Sequence, residues 1–264
     1  MAEGDFYRAI GEYKRYLFLT PEGPHADAAR HAIGLSYLRG GQPDAALAHY
    51  QSLLATTWAR PDSTALAAQA ALQVGYAHYL GGDNPAAATH LAGWLATYGQ
   101  SVRKPQRERA GYLLGWAQLT LGQYQPAADR FATLSPFPGQ GALVEAARSL
   151  TGVPTKSPLL AGLFSLVPGG GHLYLGQPLI GLAALTWNGL FGFATFDAAR
   201  RGDLGVALVL GVLEALWYFG TLFGAVSGAY KYNRDARLNA LEDLRARFDD
   251  RPESWPPAPP LTGR

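Results

Sequence analysis

The chain has 264 residues, a formal net charge of +2, no cysteine, and charged side chains at only 16% of positions. That length holds one large or two modest domains. The lack of cysteine excludes disulfides, zinc fingers, iron–sulfur sites and thiol nucleophiles, and the near-neutral balance gives no global field to draw nucleic acid. The charge deficit is local. Residues 157–230 carry only Asp197, Arg200, Arg201, Asp203 and Glu214, whereas 1–150 and 231–254 have ordinary charge. Such a split fits a water-facing part followed by a lipid-facing part. Residues 1–19 include Glu3, Asp5, Arg8, Glu12, Lys14 and Arg15, so they lack the apolar core of a secretory signal.

Residues 1–150 read as repeated helical hairpins. Gly4, Gly41, Gly82 and Gly122 are each followed five positions later by Ala9, Ala46, Ala87 and Ala127. Gly34, Gly75 and Gly115 each stand seven positions before the last three turn glycines. Large residues follow in every copy: Tyr13 and Leu17, Tyr50 and Leu54, Leu91 and Leu95, Phe131 and Leu134. Small residues fall where two helices touch, large ones fill the gaps between them, and the turn glycine accepts backbone angles that other residues resist. The first copy lacks its first helix. Either the sequence is a fragment whose missing part includes a signal peptide, or this helix caps the array.

At these small and large positions, across roughly residues 1–135, the chain resembles the tetratricopeptide repeat (TPR). The copies recur every 37–41 residues rather than the usual ~34, with the excess in loops such as 56–63 and 101–107. The resemblance implies that the inner helices present His31, Leu35 and Leu38, then Gln69, Leu72, Tyr76 and Tyr79, then Arg109, Tyr112, Trp116 and Leu119 to the concave side. Tyr76, Tyr79, Tyr112 and Trp116 then form an aromatic strip that, with Arg109 and Leu35, lines a groove for a protein helix or an extended peptide. The alternative is that these aromatics pack inside the array or under the membrane module.

Residues 151–158, with Pro154 and Pro158, form a linker. The apolar run 159–167 is too short to span a bilayer, whereas 178–196 and 204–230 are each near the ~20 residues a span needs. Between them lie Pro168, Gly169, Gly170, Gly171, His172, Leu173, Tyr174, Leu175 and Gly176. Bare backbone at membrane depth is tolerated only where protein or water satisfies it, so 159–167 is expected as a half-helix that turns back at the glycines, with a kinked full span as the alternative. This Pro-Gly-x-Gly-x-x-Tyr-x-Gly stretch resembles the turn of TM2-type membrane domains and of a group of bacterial repeat-plus-membrane proteins, across about residues 157–233. The resemblance implies membrane residence and a small helical module, 159–232, but carries little function with it.

Gly220, Gly224 and Gly228 form a small-residue ladder beside Ala225 and Ala229. It seats either a helix of the same chain or the matching face of a second copy in a homodimer. Glu214 is the only charge in the last span, which makes it a functional candidate or the anchor of a structural hydrogen bond to His172, Asn188 or Tyr218. Residues 233–250 read as an amphipathic helix, with Leu238, Leu241, Leu244 and Phe248 on one side, lying on lipid or folded back on the repeats. The proline-rich 251–264 is expected to be disordered, with a polyproline ligand at 256–260 as the lesser alternative.

If 159–167 re-enters, both soluble ends share one face. That face carries Lys156, Lys231, Arg234 and Arg237 against Arg200 and Arg201 in the hairpin loop, which places the array in the cytoplasm at a bacterial inner membrane. A missing signal peptide would reverse this. No histidine pair has metal-ligand spacing, no phosphate loop follows Gly171, and no Gly-x-Ser-x-Gly elbow occurs. The expectation is therefore an all-α, non-enzymatic membrane adaptor without cofactor, metal or nucleic-acid partner, binding protein or peptide in the groove and lipid through its spans. The alternative is a lipid- or ion-handling module centred on Glu214, with regulatory repeats.

Overall fold

One turn recurs along the chain. At Gly41, Gly82 and Gly122 the glycine has φ of +71°, +81° and +74°, the left-handed region where a Cβ is penalised. Its N–H donates to the carbonyl three residues back, and the next N–H to the carbonyl five back, as in Gln42 to Tyr37 at 2.9 Å, Asp83 to His78 at 3.0 Å and Gln123 to Gln118 at 2.9 Å. This closes the open carbonyls of one helix within a few residues of the start of the next. Gly176 and Gly202 end their helices the same way, with Gln177 donating to His172 and Asp203 to Ala198.

These turns build an all-α fold. A computed structural model describes residues 5–57, 64–252 and 255–257. Gly4, most of the 56–63 loop and positions 258–260 of the proline run lie outside the described residues. Among the described residues there are twelve α-helices, α1 (Phe6–Leu19), α2 (Ala26–Arg39), α3 (Pro43–Thr57), α4 (Thr64–Leu80), α5 (Asn84–Tyr98), α6 (Lys104–Thr120), α7 (Tyr124–Thr133), α8 (Gln140–Ser149), α9 (Pro158–Phe164), α10 (Gly170–Tyr174), α11 (Pro178–Arg200) and α12 (Leu204–Arg247). They form two units, Met1–Thr151 with Leu241–Arg264, and Gly152–Ala240.

In the first unit each helix from α1 to α8 packs on the next. Gly34, Gly75 and Gly115 sit under Tyr50, Leu91 and Phe131, all three fully buried. A Cβ on Gly75 would lie 2.6 Å from Leu91, and one on Gly115 would lie 2.8 Å from Phe131 Cζ. Each large residue thus needs the missing side chain opposite it, and burying it contributes about 2–3 kcal/mol. Ala46, Ala87 and Ala127, at 0% exposure, complete the close approach. The repeated histidines act alike: His49 Nε2 meets the Arg30 carbonyl at 2.7 Å, and His90 Nε2 the Ala71 carbonyl at 2.8 Å. Gln140 of α8 caps α7 by donating to the Phe131 and Leu134 carbonyls.

The second unit is built the other way round. α11, and α12 over its apolar stretch, are long and apolar enough to cross a membrane, yet only 17% and 6% of those stretches are buried. The core helix of a water-soluble protein would bury most of such a surface. Leu179, Phe193, Leu208, Leu216 and Phe223 point outward at 68–82% exposure, while Ser165, His172 and Asn188 are buried. The amphipathic stretch expected at 233–250 continues α12, which runs unbroken to Arg247 because neither proline nor glycine occurs in 231–247. The repeat unit also includes Leu241–Arg264, beyond the 1–150 boundary.

Candidate functional site

The expected groove is lined by α4 and α6, and the chain's own segment after α12 lies in it. Tyr112 Oη donates to the Asp249 carbonyl at 2.7 Å, Tyr76 Oη to the Arg251 carbonyl at 3.0 Å, and Arg109 Nε to the Pro252 carbonyl at 2.7 Å. Tyr79 Oη donates to Asp250 Oδ2 at 2.8 Å, and Arg245 pairs with the same oxygen at 3.1 Å. Arg109 also lies over the Tyr76 ring, 4.6 Å from its centre. Downstream, the Trp255 ring packs edge-on against Tyr112 at 5.9 Å and Phe137 at 5.2 Å. Pro252 and Pro257 are buried.

The electrostatics keep these donors in place. Burial, followed by the nearby Asp250 carboxylate, pushes the Tyr79 hydroxyl well above the ordinary phenol range, and burial does the same to Tyr112. Both stay protonated, and so able to donate, at any physiological pH. His31 meets Gln69 at 3.0 Å. Burial first, then the charges of His49 and Arg109, lower its pKa to about 4, so it is neutral at neutral pH.

Tyr76, Tyr79, Arg109 and Tyr112 are thus brought together around one segment. Trp116 is not part of that surface. It is 0% exposed and packs beneath it on Tyr112 and Phe131 at 6.3 and 6.1 Å. Leu35, half-buried on α2, takes no part in these bonds. The disorder expected from Arg251 onward does not extend to Arg251, Pro252 or Trp255, because the groove takes up the first two carbonyls and the Trp255 ring. Leu241, Leu244 and Phe248 are buried in the repeat unit, the folded-back alternative, whereas Leu238 is 49% exposed. Sequence reasoning missed Phe137, Asp250 and Trp255. The signal for Trp255 was a lone tryptophan between prolines in a polar stretch.

In the second unit the glycine-rich motif folds α10 back along α9. Gly170 abuts Phe164 at the end of α9, whereas Tyr174 Oη accepts from the Ser157 N–H at its start, at 2.9 Å. The short run therefore turns back at the glycines, and the kinked full span is not what forms. Gly169, at φ +84°, lies against the Gly181 carbonyl, and Gly171 is enclosed by Ala161, Ser165 and Ala225. Pro168 precedes this turn, and Gly176 closes α10. Asn233 clasps the linker, accepting from the Lys156 N–H at 2.7 Å and donating to its carbonyl at 2.9 Å. The Lys156 ammonium lies 5.0 Å from the centre of the Tyr174 ring.

The glycine ladder divides. Gly224 faces His172, Gly228 faces Leu175, and Ala229 joins Ala161 and Leu175 in a small core, whereas Gly220 has open space where a Cβ would stand. Glu214 has none of its expected partners. His172 meets Gln177, Asn188 donates to the Ala184 carbonyl and Tyr218 to that of Leu166, while Glu214 Oε2 has no hydrogen-bond partner. For His172 and Asn188 the partner taken is much nearer in the chain than Glu214, whereas Tyr218 reaches across to the residue that follows α9 by two positions.

Among the described residues no group of three or more histidine, aspartate or glutamate side chains is placed to hold a metal ion. Compared with known proteins, the chain matches no family, no curated sequence and no solved structure.

Proposed function

We propose that this chain is a membrane-anchored adaptor of the bacterial inner membrane. Its TPR-like array holds an extended segment of a partner protein, and α11 and α12 keep the array at the bilayer during envelope or membrane-protein assembly. One observation carries this reading: Tyr112, Tyr76 and Arg109 give their hydrogen bonds to main-chain carbonyls of a segment that is neither helix nor strand. Donors aimed at backbone suit peptide recognition, because every peptide presents main-chain carbonyls whatever its side chains. Buried tyrosines and an arginine are also the side chains that concentrate binding energy at interfaces. The role is one of binding without chemistry. Gly220, open on its face, is the point of the ladder left to a second copy.

A photocrosslinking residue in place of Leu35, the expected groove residue that takes no part in these bonds, tests the adaptor reading in native membranes. Adducts with a foreign protein support it; adducts restricted to lipid and to the chain itself would remove it. The unpartnered Oε2 of Glu214 supports a second reading, in which the membrane module handles an ion or a lipid headgroup. Glu214→Gln separates the two: the adaptor keeps its crosslinked partners and cellular activity, whereas the lipid- or ion-handling module loses activity.

A further inference from the structure

We infer that the groove recognises irregular, proline-punctuated segments bearing a carboxylate and, five residues on, a tryptophan, and that residues 249–252 with 255–257 are a tethered occupant competing with such segments from other proteins. The inference deepens the adaptor reading and rests on the groove being the array's working surface. Three of the segment's carbonyls, those of Asp249, Arg251 and Pro252, are each taken by a different groove donor. This main-chain grip is indifferent to sequence. Selectivity comes from two side chains. The Asp250 carboxylate, only 14% exposed, takes Tyr79 and Arg245 together, a charge-assisted arrangement that an uncharged residue would leave half-empty. The Trp255 ring sits against Tyr112 and Phe137.

Proline suits the intervening positions. It has no N–H to satisfy and its backbone is already restricted, so Pro252, between Asp250 and Trp255, is buried at a low cost in hydrogen bonds and ordering, as is Pro257 beyond them. Tethering then decides who occupies the groove. A segment joined through α12 is present at an effective concentration in the millimolar range. A foreign segment of equal intrinsic affinity is therefore excluded at ordinary cellular concentrations. Entry requires either a better fit at the carboxylate and tryptophan positions or an event that unseats Asp250 or Trp255.

The test uses the full chain in lipid nanodiscs and a fluorescent synthetic peptide with the sequence of residues 247–257, followed by anisotropy. Asp250→Asn with Trp255→Ala unseats the internal segment while leaving the groove intact. The peptide should bind this double variant about tenfold or more tightly than the wild-type chain. Adding Tyr79→Phe and Tyr112→Phe to the variant should abolish that gain, and a scrambled peptide should bind neither chain. Equal binding to wild type and variant overturns the inference, as does no binding to a variant that keeps the wild-type helical signal and melting curve. Should the double variant fail to fold, Trp255→Ala alone carries the same comparison.

The Leu35 crosslinker, placed in both chains, keeps the two readings apart. More foreign adducts in the unseated chain support both. If both chains yield only lipid and self adducts, the adaptor reading falls, while the peptide result still decides the tethered occupant.

Discussion

The two units use the same hairpin turn and bury opposite kinds of side chain. Gly82 in the first and Gly202 in the second have φ of +81° and +87°, and the residue after each donates to a carbonyl five back. The helices joined by these turns then bury contrary things. The first unit hides Tyr50, Tyr112, Trp116 and Phe131, each at 1% exposure or less. The second hides Ser165, His172 and Asn188 and turns its leucines and phenylalanines outward. Turn chemistry is local, set by backbone angles and open carbonyls at a helix end. Which face goes inward is decided by the medium, since apolar side chains gain by packing together only where water is the alternative.

The sharpest way to break this contrast is to put one charge on each outer surface. Leu216, 68% exposed on α12, and Phe18, 86% exposed on α1, have similar accessibility. Leu216→Arg should cost about 2.5–3.5 kcal/mol of membrane insertion, while Phe18→Arg should stay within about 0.5 kcal/mol. The fraction resisting alkaline extraction from membranes reads the first, and thermal melting of the repeat unit reads the second. If Leu216→Arg stays fully membrane-bound, or the wild-type chain is freely soluble without detergent, the outer face of the second unit does not meet lipid.

A slightly smaller effect sharpens the comparison from inside. Gly115→Val drives a branched side chain into the ring of Phe131, an overpacking worth about 3 kcal/mol. The repeat unit should melt roughly 6–12 °C lower. Gly220→Ala meets nothing within 4 Å, and alanine exceeds glycine in helix propensity by about 1 kcal/mol. It should be neutral or mildly stabilising, unless a second copy occupies that face. In that case self-association, measured by crosslinking yield in membranes, falls.

The hairpins were legible because the seven-residue glycine step and the following large residue encode both sides of one contact, as Gly75 and Leu91 do. The two apolar helices were legible from length and from the absence of charge. What stayed hidden was held by groups that residue identity does not display. Residues 249–252 are gripped largely through their carbonyls, and nothing in a proline-rich stretch announces that Tyr76 and Tyr112 will reach them. Whether Trp116 lined the groove or packed inside the array stayed open, because a repeat pattern assigns a residue to a helix face without saying how far below the surface it lies; it packs inside. The continuation of α12 was legible because 231–247 contain no residue that stops a helix. Glu214 was given partners by their polarity, but His172 and Asn188 had nearer claims on them in Gln177 and the Ala184 carbonyl.

The smallest expected effect separates the units by pH. His31 titrates near 4 in the folded repeat unit against an ordinary value of 6.5, and burial also lowers His90. A base with a lowered folded pKa takes up its proton in the unfolded chain first. The stability it confers is therefore fully present above pH 6.5 and is lost as pH falls toward 4, where both states become protonated. For His31 the loss is about 2 kcal/mol once its remaining solvent contact is discounted. His31→Gln keeps a hydrogen-bonding group toward Gln69 and cannot titrate, so its melting temperature should fall less than that of wild type between pH 6.5 and 4. The difference between the two profiles removes the contribution of carboxylates, which both chains share. Parallel profiles over that window would mean that His31 charges as easily in the fold as in water, and that the inner helices of the array are wetter than their burial implies.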